Sequence, residues 1–580
     1  MPRGRYGLAK TPFVNLGSTA SAGATTLTLA SAPTNWRVGD SIVVITGGHD
    51  ANCTMLRNDA CQTEERTIGA LIGATVTLDA PLTYTHAVET VVADGRTVNL
   101  NCEVINTARN VKIQGTTGTG QAGFGGHVML LQPTDGESAF HYVEFFRMGQ
   151  SQRVGRYPLH LHAVAEGGGV GYVNQTSVIG VSVHHSFNRG LNIHGGTGAE
   201  VRLSTIYKNM GHAFFVEDGS ETKNVFIGNL GAMTMRAMSL LESDQTPSTY
   251  WITNCDNVFE DNVAAGGDSF GYWINLPRHP GGFLNFEGAT FRDTIFPRQT
   301  NVDSFRGNIA HGYANGFLAH DLDPKEFDPR YQVTRTLEGW SGRYYNAVDE
   351  SPGMRRAAVF ENLFAYRNAE AGAIFANMGH LKVINFVSVA NHHGIQAHLY
   401  KAEQWGDDSN GWNAPLISDS LFVGDGSHRG CGVAGPMSSF LTIKNTAFHA
   451  FPSGSAAICA CHLCNGGKGG QELRTTQLRF SGGVDRRVRF RSQFETIVAD
   501  LDGSLTGIAG GWAHGLAPDG TIGHFPPTSC TVWSGGVMGF HASALSAMVC
   551  DASVTLRTYR WRATRPTTAF NLRAATVTTP

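Results

Sequence analysis

With 580 residues, the chain exceeds what one ordinary hydrophobic core supports, so several packed units or one repeating architecture is expected. A formal net charge of −3 and 16% charged residues exclude a disordered polyelectrolyte and argue against a basic nucleic-acid surface. Glycine, at 71 residues, is well above the usual share of about 7%; with Val, Ile, Thr, Phe and Asn in short bursts it predicts many strands joined by tight turns. No apolar stretch of about 18 residues is present, so no membrane span is expected. Residues 1–10 lack the apolar core of a signal peptide.

Residues 1–100 read as a small N-terminal β module. Apolar and polar residues alternate over 26–29, 41–45 and 74–78, separated by Gly, Asp and Asn turns. Cys53 and Cys61 flank a polar loop here, and Cys530 and Cys550 bracket a short segment near the other end. Both suit local disulfides in an oxidising compartment. Cys431, Cys459, Cys461 and Cys464 cluster, with disulfides favoured over a metal knuckle.

From 101 to 475 a repeat sets the expected fold. Short apolar bursts end on Asn229, Asn262, Asn308, Asn362, Asn385 and Asn445. Second bursts recur between them, opened by Gly190, Ala213, Gly271, Gly316 and Gly394. Residues 184–196 and 207–219 superimpose without gaps at a spacing of 23. Such a period of short strands suits one coil of a right-handed parallel β-helix, in an all-β chain. Each coil buries its apolar face by stacking on its neighbours. Wider gaps, and 325–352 above all, are expected as insertions at one edge. Residues 476–580 lose the period and read as a β-rich capping region.

Stacking turns repeat position into spatial neighbourhood, because successive coils lie about 4.8 Å apart. Aligning the second bursts sets His162, His194 and Glu217 on three adjacent rungs, with Glu242, Asn275, His320 and His398 continuing the line. Two imidazoles and a carboxylate suit a divalent metal, with Glu242 or Asp218 completing the shell; a solvated polar ladder is the alternative. Calcium, zinc or manganese is the expected cofactor, and the imidazoles favour zinc, manganese or iron over calcium. His160, His184, His212 and Asp218 are the candidate acids and bases. Arg156 and Arg189 are candidates for clamping a sugar carboxylate, although Arg189 also fits a structural pair with Glu217 or Asp218. Tyr272 and Trp273, with Trp251, are candidates for stacking on sugar rings.

Gly155-Arg-Tyr-Pro-Leu-His-Leu-His162, His184-His-Ser-Phe-Asn-Arg189, Ile193-His-Gly195 and Gly211-His-Ala-Phe-Phe-Val-Glu-Asp-Gly219 closely resemble one family. It is the cell-migration-inducing and transmembrane cell-surface hyaluronidase family, whose members carry a G8 domain and parallel β-helix repeats. Trp36-Arg-Val-Gly-Asp40, Phe124-Gly-Gly-His127 and Asp502-Gly-Ser-Leu-Thr-Gly507 are similar as well. The resemblance implies a secreted or extracellular enzyme that depolymerises hyaluronan or a related acidic glycan, with a divalent cation. It carries over to Arg156, His160, His162, His184, Arg189, His194, His212, Glu217 and Asp218. The first half of the G8 domain and the lectin-like modules of animal members are not evident.

Glycosidic hydrolysis is the leading expectation. A polysaccharide lyase and a non-catalytic glycan-binding or adhesion protein are the alternatives, with a trimeric tail-spike-like depolymerase behind them. No nucleic-acid partner is expected.

Overall fold

A computed structural model describes residues 3–50, 61–118, 123–131, 138–162, 171–172, 176–237, 242–277, 279–281, 294–319, 357–376, 381–398, 415–425, 430–436, 440–452, 454–460, 471–490, 496–516, 520–538, 546–560 and 571–577. The expected insertion at 325–352, and Cys53, Cys461, Cys464 and His320, lie outside them. The chain divides into two units. One takes 1–92, 96–354 and 362–372; the other takes 93–95, 355–361 and 373–580.

In the first unit each coil consists of three short strands. One coil runs Thr176–Ile179, Ser182–Ser186 and Leu191–His194, and the next runs Glu200–Arg202, Thr205–Met210 and Phe214–Val216. The pairing is parallel and in register, with Val178 beside Val201, Val183 beside Ile206 and Ile193 beside Val216. Ser182 pairs with Thr205 and Leu191 with Phe214, the expected step of 23. The fold is an all-β parallel β-helix.

The corners explain the recurring Asn. Gly180, Leu203, Gly228, Asp261 and Gly307 adopt positive φ at one corner, a conformation that glycine enters freely and others at some cost. Asn229, Asn262 and Asn308 each follow such a residue and are buried. Each side-chain oxygen accepts a backbone N–H from the preceding rung: Ser204 to Asn229 at 2.9 Å, Asn229 to Asn262 at 3.0 Å, Asn262 to Asn308 at 3.1 Å. This ladder satisfies buried amides where the strands turn. Asn362, Asn385 and Asn445 instead occupy the positive-φ position themselves. The two sets of Asn are thus offset by one residue, a difference that the burst pattern conceals.

Alternate side chains of the second-burst strands point inward. Phe214, Tyr250, Tyr272 and Phe317 form a continuous aromatic stack, with ring centroids 4.8, 4.5 and 4.8 Å apart.

The N-terminal module is a six-stranded antiparallel sheet that also takes in Glu103–Asn106, beyond its expected end at 100. One side closes over Leu16, Leu27, Ile42, Val44, Val76 and Val104. Val43, Ile45 and Ile105 pack on Tyr207, Leu230, Ala232, Met233 and Met235 of the coils.

In the second unit parallel pairing continues past residue 475, with Gln471–Thr476 beside Thr496–Asp500 and Val488–Phe490 beside Cys530–Met538. Antiparallel strands then follow. Disulfides join Cys431 to Cys459 and Cys530 to Cys550.

Candidate functional site

The strands that follow the second corner present two outward rows. His160, Asn192, Phe215, Trp251 and Trp273 share one height. His162 and His194 share the next, and Glu217 follows Val216 to continue it. Thr253, one residue past Ile252, takes the rung expected for Glu242, which lies in the short turn Glu242–Gln245. An insertion between paired strands displaced it from the repeat.

Where these rows pass Leu159–His162 and Leu191–His194, three imidazoles converge. One ligand nitrogen from each of His160, His162 and His194 lies within 4.8 Å of the other two. The expected trio was His162, His194 and Glu217; the structure adds His160. Its Nδ1 donates to Gly155 O at 3.1 Å, which leaves the Nε2 lone pair buried without a partner. Burial pulls its pKa down to about 4, so the ring is neutral near pH 7. Burial also lowers His162.

His194 is the opposite case. Burial disfavours its charge, yet Asp218 at 2.8 Å from Nε2 and Glu217 at 3.6 Å from Nδ1 outweigh it and hold the ring up to about 9. Asn192 fixes Glu217 with a 2.6 Å hydrogen bond, and its own carbonyl oxygen is buried and unpartnered. Behind Asp218, Glu221 accepts N–H groups from Gly195, Asp218 and Gly219. Burial next to Asp218 pushes Glu221 up to about 7.

Other expected site residues stand elsewhere. Arg189 is 1% exposed and grips Asp244 through two hydrogen bonds, 3.0 and 2.9 Å long. Its Nη1 donates to Tyr157 Oη at 3.0 Å. Glu217 is 3.8 Å away. The structure therefore corrects a direct clamp on a sugar carboxylate: the guanidinium is enclosed and its main partner is Asp244, not Glu217 or Asp218.

His212 is wholly buried against Phe215 and Trp251, accepts a hydrogen bond from Ser248 N–H, and is drawn down to about 3 by burial. His184 sits on the preceding strand, 3.0 Å from Glu144. Neither reaches the imidazole cluster as a candidate acid or base. Tyr272 belongs to the interior stack and donates to Asn262 O. Trp273 faces outward yet is 0% exposed, so neither ring is available to a sugar. Arg156 remains half-buried beside the cluster's loop, and among the described residues no carboxylate pairs with it.

Sequence reasoning missed Asn192, Glu221, Tyr157 and Asp244. Asn192 stands two positions before His194 in an aligned burst, so its rung was readable. Asp244 arrives from an insertion without repeat position and left no signal.

The cluster also fits a divalent ion by its chemistry. His160 offers a buried, unpartnered lone pair, His162 is a second imidazole, and His194 would contribute a third on giving up its proton.

Residues 123–317 match the CEMIP beta-helix family. Mouse "Fibrocystin-L" is 30% identical over 94% of this chain, which spans 13% of that protein. Human "Cell surface hyaluronidase CEMIP2" is 29% identical over 53% of this chain, which spans 23% of it. The catalytic unit of a GH87 alpha-1,3-glucanase from Streptomyces thermodiastaticus is a solved structure with a TM-score of 0.32, 11% identity, and coverage of 82% of this chain and 98% of its own. The chain thus covers under a quarter of either relative. Over residues 123–317 the chain is thus similar to the CEMIP beta-helix, and it shares sequence similarity with proteins named as cell surface hyaluronidases.

Proposed function

We propose that the chain binds and hydrolyses an extracellular acidic polysaccharide of the hyaluronan type at His160, His162, His194, Glu217 and Asp218. The observation that carries this reading is the convergence of three imidazoles within 4.8 Å around a charged His194 held between two carboxylates. Relatives named as hyaluronidases support the substrate class. The disulfides suit an oxidising compartment. Among the described residues no helix is long and apolar enough to cross a membrane.

Hydrolysis needs a proton donor and a group that accepts a proton. His160 is neutral with a free Nε2 and serves as acceptor. His194 with Asp218 supplies a held proton. Arg156 is the cation left for the sugar carboxylate. Were an ion bound instead, His160, His162 and His194 would hold it, His160 and His194 would no longer exchange protons through the nitrogens that ligate it, and the ion would supply Lewis-acid polarisation of a substrate oxygen. Zinc or manganese suits three imidazoles better than calcium does.

Incubation with hyaluronan, chondroitin sulfate and a neutral glycan, followed by product sizing, tests the reading. Shortened acidic chains without an unsaturated, ultraviolet-absorbing end are expected. An absorbing end would make the protein a lyase, and retention without shortening would make it a binding protein.

A further inference from the structure

The rings expected from sequence to stack on sugars are enclosed, whereas Phe124 is 44% exposed. The guanidinium of Arg153 lies over it, 5.1 Å from the ring centre. Arg153 shares the loop 150–156 with Arg156, and among the described residues no carboxylate pairs with either.

The backbone beneath this pair is held firmly. Phe124 bridges Gln150 in the antiparallel sense. Gly125 N–H donates to Gly149 O at 2.7 Å, Gly149 N–H to Gly126 O at 2.6 Å, and Ser151 N–H to Gly123 O at 2.9 Å. A Cβ at Gly125 would stand 2.2 Å from Arg147 O, so the close approach of the two segments requires glycine there. The buried Asn188 amide donates to Gln150 O at 2.7 Å and to Arg153 O at 3.0 Å. Gln152, Arg153 and Val154 are nevertheless exposed. A fixed backbone with exposed, unpaired side chains is pre-organised for a ligand.

This loop runs directly into the imidazole cluster. Gly155 O accepts the hydrogen of His160 Nδ1 at 3.1 Å, and a Cβ at Gly155 would stand 3.9 Å from His160 Cε1. Phe124 lies just before Val128–Leu131, in which Met129 pairs with His160 and Leu131 with His162.

We infer that Phe124 and Arg153 form an acidic-sugar subsite beside the imidazole cluster, the ring taking the apolar face of a pyranose and the guanidinium its carboxylate; this rests on the glycan reading above. Pyranose C–H groups bring apolar area against the ring, and a guanidinium meets a carboxylate with two parallel N–H donors. Arg153 thereby adds a second cation to Arg156. A neutral polymer would engage the ring alone.

Binding to immobilised hyaluronan, and to the same polymer with its carboxylates reduced to alcohols, tests this, read in the cold to slow turnover. Both side chains are exposed, so Arg153→Gln and Phe124→Ala should keep the wild-type thermal midpoint. Arg153→Gln should weaken binding to hyaluronan roughly tenfold and leave the weaker binding to the reduced polymer unchanged. Phe124→Ala should weaken both about fivefold; Phe124→Leu takes its place should that variant not fold. Wild-type binding to hyaluronan that neither folded variant weakens, or an Arg153→Gln loss equal on both polymers, overturns the subsite and leaves the glycan reading standing. Wild-type protein that binds neither polymer overturns both.

Discussion

Arg189 and Asp244 meet through a two-pronged pair although 55 residues separate them, with Nε 3.0 Å from Oδ1 and Nη2 2.9 Å from Oδ2. Both side chains are almost wholly enclosed. The guanidinium also lies 3.9 Å from the centre of the Phe215 ring. Removing one partner of such a pair strands the other charge away from water. Arg189→Ala should lower unfolding free energy by about 3–5 kcal/mol, and Asp244→Asn should also be destabilising, both measured by chemical denaturation. A change within about 0.5 kcal/mol in either variant would mean that the pair is not structural.

Gly211 faces the same carboxylate. Its φ is +79°, and a Cβ placed there would stand 2.5 Å from Asp244 Oδ1. Gly211→Ala should cost about 1–3 kcal/mol through backbone strain, with more if the ion pair is displaced. A thermal midpoint equal to that of the wild type would contradict this.

His212 gives a pH dependence of definite sign. Its folded pKa is about 3, below the ordinary value of 6.5. As pH falls below about 6.5 the unfolded chain takes up a proton that the folded chain refuses until about pH 3. Stability is therefore lost on acidification across that window, by a contribution on the order of 5 kcal/mol. His212→Asn, whose side-chain oxygen can still accept the Ser248 N–H, should flatten stability against pH between 6.5 and 3. An unchanged slope would remove His212 from the account.

The cluster's metal chemistry has a stoichiometric test. Elemental analysis after equilibration with zinc or manganese should find about one ion per chain, and His160→Ala or His194→Ala should each lower that figure. Full occupancy in both variants would place any bound ion elsewhere.

Trp273 and Arg156 separate packing from binding. Trp273→Ala should cost about 3–5 kcal/mol without a specific effect on glycan retention by the folded fraction. Arg156→Ala should leave the denaturation midpoint nearly unchanged while weakening retention of an acidic glycan about tenfold, about 1.4 kcal/mol. The reverse pattern would return the aromatic ring to the sugar.

The coil period and the pairing of His162 with His194 were legible because parallel stacking converts a constant spacing into a constant rung. Whether an outward side chain stays exposed was not legible. Phe215, Trp251 and Trp273 point away from the coil interior and are nevertheless buried. Arg189 lies on Phe215, and His212 packs against Phe215, Trp251 and Trp273; a period does not say which side chains fold over an outward row, nor what an inserted segment adds. Arg189 shows the same limit: its position was readable, while its partner Asp244 came from such a segment.

The most direct measurement is the chain length of hyaluronan after incubation with wild-type protein and with folded His160→Ala. The account predicts progressive shortening by the wild type, and loss of shortening with polymer retention largely kept in the variant. Equal shortening by both proteins would contradict the assignment of the imidazole cluster as the site of reaction.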